Sequence, residues 1–241
     1  MLRTLIADMA LILSSLATAQ AQDEAGLYRV TMLRAAPGQW YELKAVLEGQ
    51  GEAGKPDAEG RVVPYRIRHS QGDQWDFMLI QPLSGWDHYF SRENMRLEAP
   101  FREAIGKHAD YELDWFVSGP SHADASALFA GAGLFHLEIY QARAGMKGAL
   151  ADSRIRENAI FADLGTSQNS IWLGQFGADH DVMTIGFYKD WAAYVEHNAT
   201  GSDEEWETLS RAHGYGGAGD LSPQLRSFLT GHADTFAVPM K

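Results

Sequence analysis

The chain says much the same thing twice. GLYRVTMLRAAPGQWYEL from Gly26 aligns with GLFHLEIYQARAGMKGAL from Gly133, and DFMLIQPLSGWDHYF from Asp76 aligns with DVMTIGFYKDWAAYV from Asp181. KHAD ending at Asp110 aligns in turn with GHAD ending at Asp234. An internal repeat of about a hundred residues constrains the fold more than any local propensity, because both copies must adopt one structure and pack against each other.

The alignment offset is 107 residues from Gly26 to Gly133, 105 from Asp76 to Asp181 and 124 from His108 to His232. The jump of 19 between the last two places an insertion in the second copy at about 196–220, around the acidic SDEEWETLS and the glycine-rich HGYGGAGD. Loops inserted asymmetrically into a duplicated scaffold are good places for function, since the scaffold already satisfies packing.

Within copy one, LYRVTML alternates like a strand, and Pro37-Gly38 opens a helix with Trp40, Leu43, Val46 and Leu47 on one face. Tyr65 to His69 and Gln74 to Ile80 read as a hairpin, Gly85 to Lys107 as a helix interrupted at Pro100, and Tyr111 to Val117 as a last strand. Copy two repeats this order, with strands expected at 133–142, 170–176, 181–188 and 233–239, and helices at 145–163 and from Trp191. The domain reading is a leader over 1–21, a first unit over 22–118, a small polar linker over 119–132 and a second unit over 133–241.

Each unit is β-α-β-β-α-β, the ferredoxin-like split, and the open face of its sheet needs a cover. The expected fold class is therefore α+β, with two tandem ferredoxin-like units packed sheet to sheet as an intramolecular α+β barrel. In topology and tandem repeat the chain resembles the dimeric α+β barrel superfamily, in particular its fused members. That superfamily includes cofactor-independent monooxygenases, small isomerases and decarboxylases, NIPSNAP-type proteins and haem enzymes related to chlorite dismutase. The resemblance implies a small-molecule site but not which chemistry it performs.

Composition narrows the classes. At 45% hydrophobic and 22% charged residues the chain is an ordinary globular protein. Arg3, the apolar run from Leu5 to Leu16 and Ala19-Gln20-Ala21 have the form of a secretory leader, which implies a periplasmic or secreted protein. The run of about 12 apolar residues is short of the ~20 needed to span a bilayer, so no integral membrane segment is expected after cleavage. The absence of cysteine excludes thiol chemistry and cysteine-ligated metal, and leaves stability to the core and to association, a homo-oligomer included. A net charge of −12, unchanged by losing Arg3 and Asp8, argues against a nucleic-acid partner. GxSxG, Walker, GxGxxG, HExxH and EF-hand patterns are absent.

Period-two alternation splits each first strand into two faces. Tyr28, Val30 and Met32, with Phe135, Leu137 and Ile139, form an apolar face expected to meet the helices. Arg29, Thr31 and Leu33, with His136, Glu138 and Tyr140, are then expected between the sheets. The same reading sets Trp75, Phe77 and Leu79 against His180, Val182 and Thr184, so copy two is the more polar. A buried ionisable group needs a partner or a hydrated cavity, so Glu138 beside His136 implies either a pairing with Arg29 or a ligand site.

His136, Glu138 and His180 are the candidate catalytic residues for acid/base work on a small apolar or aromatic compound, with Arg29, Thr31, Tyr140 and Thr184 as candidate ligand-binding residues. Two nitrogens and a carboxylate could equally serve a divalent metal, and a satisfied structural network is the bland reading of the same residues. No cofactor is expected in the acid/base reading. A haem protein similar to chlorite dismutase is the first alternative, with His197 and His213 as its helix-side histidines by elimination, and a solid interaction module is the second. Arg66 and Arg68 read as a solvated strand edge, and the two HAD triplets as helix terminators. Trp86 with Tyr89, and Trp191 with Tyr194, read as helix-on-sheet core.

Overall fold

A computed structural model describes residues 25–69 and 74–240; the expected leader lies outside them. Copy one runs β1 (Gly26–Ala35), α1 (Trp40–Glu48), β2 (Tyr65–His69), β3 (Phe77–Leu83), α2 (Trp86–Tyr89), α3 (Arg92–Gly106) and β4 (Ala109–Gly119). Helix α4 (His122–Gly131) joins it to copy two: β5 (Leu134–Ala142), α5 (Lys147–Asp163), β6 (Ser170–Phe176), β7 (Val182–Tyr188), α6 (Trp191–Asn198), α7 (Asp203–Ala212), α8 (Leu221–Ser227) and β8 (Leu229–Pro239). No helix among the described residues is long and apolar enough to cross a membrane.

The strands form two antiparallel sheets of identical order, β4-β1-β3-β2 and β8-β5-β7-β6, which join through β2–β8 and β4–β6 into one closed eight-stranded barrel. Every strand thereby has a neighbour on both sides, although each seam is short: Ile67, Arg68 and His69 pair across β2–β8, and Phe116, Val117 and Ser118 across β4–β6. Arg66 and Arg68 are therefore not on an edge: Arg68 lies opposite Val238, and the Arg66 guanidinium donates to the carbonyls of Leu47 at 2.5 Å and Gly51 at 2.8 Å, closing the end of α1. At the β4–β6 seam the buried Trp172 ring lies against Gly119, where a Cβ would come within 2.4 Å of it.

The two faces are the reverse of the expectation. Tyr28, Val30 and Met32 point into the barrel with Phe135, Leu137, Ile139, Trp115, Trp172 and Met183, in one dry core. Leu33 packs on the helix side with Leu43, Leu47, Phe101 and Ile105, and Tyr140 does so with Leu150 and Val182. The physical reason is that a barrel centre offers polar groups neither water nor partners. A helix layer offers both at its gaps, so the uniformly apolar face goes inside. Alternation also fails beyond strand ends: Trp75, just before β3, belongs to the inner core while Phe77 and Leu79 face helices.

The small polar linker is a helix, N-capped where the Ser121 hydroxyl accepts from the Asp124 amide at 3.1 Å. It plugs one barrel end: Ala125 is fully buried, and Phe129 stacks on Tyr65 at 4.2 Å and meets Phe135 and Phe187. The HAD triplets are out of register. Asp114 lies opposite Thr31 and Asp234 opposite Glu138, so the offset at the last strand is 120 (114 to 234), not 124. Against 105 at β3/β7 (Gln81 to Gly186) the insertion is 15 residues. His108 sits after α3 with Nδ1 2.8 Å from Gln39 Oε1, whereas His232 is inside β8 and terminates no helix.

Candidate functional site

On the helix side of the second sheet, β5 runs between β7 and β8 and sets three rows. His136 lies between Gly186 and Phe236, Glu138 between Thr184 and Asp234, and Tyr140 between Val182 and His232. Helix α5 crosses this face with Leu150, Ser153, Arg154 and Ile160 buried, a spacing of three and four that brings Arg154 and Glu157 over the polar rows. The insertion supplies the remaining wall. Its Tyr215 is buried and donates to the Ser153 carbonyl at 3.0 Å, Glu207 accepts from the Ala218 amide at 2.8 Å, and α8 then presents Leu221, Ser222 and Leu225. The resulting cleft, partly open to solvent, has a volume of about 230 Å³ and is lined also by His136, Glu138, Arg154, Glu157, Phe161, Asn169, Tyr188, His197 and Asn198.

Its charges are interlocked. His136 Nε2 is 2.7 Å from Asp234 Oδ1, Thr184 donates to Glu138 Oε2 at 3.1 Å, and His232 Nε2 is 3.4 Å from Glu138 Oε1. Arg154, 3% exposed, reaches Glu157 at 2.5 Å and Tyr140 Oη at 3.5 Å. Burial works to raise the Glu138 carboxyl, but hydrogen bonds from His232 and Tyr140 and the charge of Arg154 outweigh it and hold the group at about 2. Burial also raises Glu157, and there it prevails: Arg154 opposes it, while the Glu138 charge adds to it. Burial works to lower His136, but the Asp234 hydrogen bond and the Glu138 charge carry it above the ordinary histidine value. His197, 2.7 Å from Thr166 Oγ1, is lowered by burial and by His136. Two nearby carboxyls pushed apart in this way divide into a fixed anion and a group able to exchange a proton.

Among the described residues of copy one the corresponding face is nearly filled. At the equivalent rows Arg29, 5% exposed, donates to Glu98 Oε2 at 3.0 Å, and Gln81 donates to Glu98 Oε1 at 3.2 Å. Around Gln81 and Tyr89 only about 40 Å³ remains. Arg29 is thus the partner of Glu98, not of Glu138 as one expectation had it. Thr31 bonds Asp114.

Of the expected catalytic residues, the structure brings His136 and Glu138 together and places His180 elsewhere. His180 packs on Trp115 at the open end of the barrel, lining a separate cavity of about 300 Å³ with Trp75, Tyr111, Gln141 and Thr235. Thr184 and Tyr140 are beside Glu138, while Arg29 and Thr31 serve the closed copy-one network. His213 pairs with Asp163 at 2.7 Å, away from both cavities. Trp191 is 52% exposed, so the Trp–Tyr pairs are less a core than the rim of the sheets.

Arg154, Glu157, Asn169, Asp234 and the role of His232 were missed. A signal existed for the first two, since they share the apolar stripe of Leu150 and Ile160. For His232 and Asp234 the misaligned HAD triplet hid the cross-strand pairing. A haem does not fit this cavity: about 230 Å³ leaves room for a compact ring compound but not for a four-pyrrole macrocycle.

No family model matches the chain, and no curated protein matches it in sequence. Solved structures do match. An "anthrone oxidase-like protein" is 9% identical with a TM-score of 0.55, covering 91% of this chain and 92% of that one. A "putative monooxygenase from Lactobacillus acidophilus" is 12% identical with a TM-score of 0.54, covering 90% and 95%. Another described as "putative monooxygenase", from Fusobacterium nucleatum, is 9% identical with a TM-score of 0.51, covering 90% and 93%. With the closed barrel and the twice-repeated strand order, these likenesses show the fold: an eight-stranded α+β barrel whose two ferredoxin-like halves lie in one polypeptide.

Proposed function

We propose that the chain binds a small organic compound in the cavity between the second sheet and α5, α6 and α8, and exchanges a proton with it. The observation that carries this reading is the difference between sister positions, about 230 Å³ lined by ionisable groups against about 40 Å³ beside a closed ion pair. Duplicated halves under the same packing demands diverge in this way when one of them serves a ligand.

Glu157 is the proton-exchanging group, because its environment favours the neutral acid while leaving it beside Arg154, which steadies the anion. Glu138 stays ionised, and His136, held by Asp234, presents a polar wall. Phe161, Tyr188 and Leu225 give the apolar remainder, which fits a compact aromatic or enolisable compound with one acidic proton. The proteins of similar fold, described as anthrone oxidase-like and, twice, as a "putative monooxygenase", agree with an organic ligand of that kind.

The test is thermal unfolding across a panel of phenols, enolisable ketones and small aromatic acids, with wild type beside Glu157→Gln. The reading expects at least one compound to raise the melting temperature of wild type and to lose most of that effect in the variant. No stabilisation by any of them, or stabilisation equal in both proteins, overturns it.

A further inference from the structure

We propose that Glu138, His232 and Asp234 form a binding site for a divalent first-row transition-metal ion on the helix side of the second sheet. The site adjoins the cavity described above but does not rest on the ligand reading.

One ligand atom from each of the three residues lies within 4.8 Å of the others, and Glu138 Oε1 to His232 Nε2 is 3.4 Å. Metal–ligand bonds of about 2.0–2.2 Å put neighbouring donor atoms ~3–4 Å apart, so side-chain shifts of about an ångström bring the three within reach of one ion. The three residues stand on two adjacent strands whose register fixes them: Glu138 faces Asp234, and Tyr140 faces His232.

Each donor is already held by a neighbour. Thr184 occupies Glu138 Oε2 and so leaves Oε1 toward His232. His136 occupies Asp234 Oδ1 and leaves Oδ2. The Tyr140 ring lies parallel to the His232 ring at 4.7 Å. Outer partners of this kind orient ligands before the ion arrives. Glu138 is largely buried and the other two are more open, which leaves coordination positions on the solvent side.

The sister sheet supplies a second, independent observation. The residues equivalent to Glu138, His232 and Asp234 are Thr31, Glu112 and Asp114, and there a cation is built in: Arg102 reaches Glu112 at 2.8 Å and Asp114 at 3.3 Å. In copy two no arginine or lysine among the described residues comes within ion-pair distance of Glu138 or Asp234; Arg154 acts on Glu138 at longer range, His136 bonds one oxygen of Asp234, and an imidazole stands where Glu112 does. One nitrogen and two carboxylate oxygens suit Mn²⁺, Fe²⁺ or Zn²⁺ better than Mg²⁺ or Ca²⁺, which favour all-oxygen sets.

The experiment is calorimetric titration of the chelator-stripped chain with Zn²⁺ and with Mn²⁺. Wild type is expected to bind one ion saturably, and His232→Ala and Asp234→Asn each to weaken it at least about tenfold. Both positions are partly solvent-exposed, and circular dichroism verifies that the variants are folded. His213→Ala, which removes a histidine elsewhere, is expected to change nothing, and Ser222→Trp, which fills the organic cavity, to leave metal binding intact. Absence of saturable binding, or affinity equal in wild type and both ligand variants, overturns the metal site and leaves the organic-ligand reading standing.

Discussion

Gly186 stands in the second sheet where Gln81 stands in the first: Gly186 lies opposite His136, and Gln81 opposite Arg29. The Gln81 side chain completes the Glu98 network, whereas at Gly186 the Tyr188 ring and the Asn169 amide lie against the bare backbone, with a Cβ there falling 2.7–2.9 Å from both. The cavity therefore depends on a missing side chain as much as on the insertion above it. Gly186→Gln should displace Tyr188 and Asn169 into the cavity, destabilise the fold by about 1–3 kcal/mol as an overpacked site does, and abolish ligand-induced stabilisation. Urea denaturation with and without the ligand measures both effects.

The closed copy-one network makes the opposite kind of demand. Arg29 and Glu98 have side chains only 6% and 7% exposed, so removing one leaves the other charged, buried and unpaired. Glu98→Ala should cost about 3–5 kcal/mol, read as a lower urea midpoint with an unchanged slope. A loss under about 1 kcal/mol would mean that water reaches Arg29.

Glu157 gives a pH signature. Its folded-state pKa is raised above the ordinary 4.5, by burial first and by Glu138 besides, against the pull of Arg154. The folded chain thus binds this proton more tightly than the unfolded chain, so the group's contribution is fully present below about pH 4.5 and is lost as pH climbs through the folded value. Glu157→Gln cannot titrate. Relative to wild type the variant should gain stability between about pH 4 and pH 8, measured by urea denaturation at both. A constant difference would show that Glu157 is not raised.

The repeat, the strand order and the sheet-to-sheet closure were legible in the sequence because duplication and hydrophobic alternation are local patterns that survive without coordinates. Which face turned inward was not. Alternation places Glu138 with His136 and apart from Leu137, but only the relative dryness of barrel and helix layer decides where each set points. His136 and Glu138 lie at one cavity, while His180 lies at the other because the period-two reading was carried past the start of β7. His232 and Asp234 escaped because a chance repeat of His-Ala-Asp was a better string match than the true register, which is four residues away. Arg154 and Glu157 reach the site from a helix, and no strand pattern could bring them there.

The most direct test compares two cavities with one ligand. The dissociation constant of a compound that stabilises the wild-type chain should rise at least about tenfold in Ser222→Trp, which fills the space beneath α8, and stay within about twofold in His180→Ala at the barrel mouth. Weakened binding in His180→Ala with binding unchanged in Ser222→Trp would contradict the account and place the ligand between the sheets.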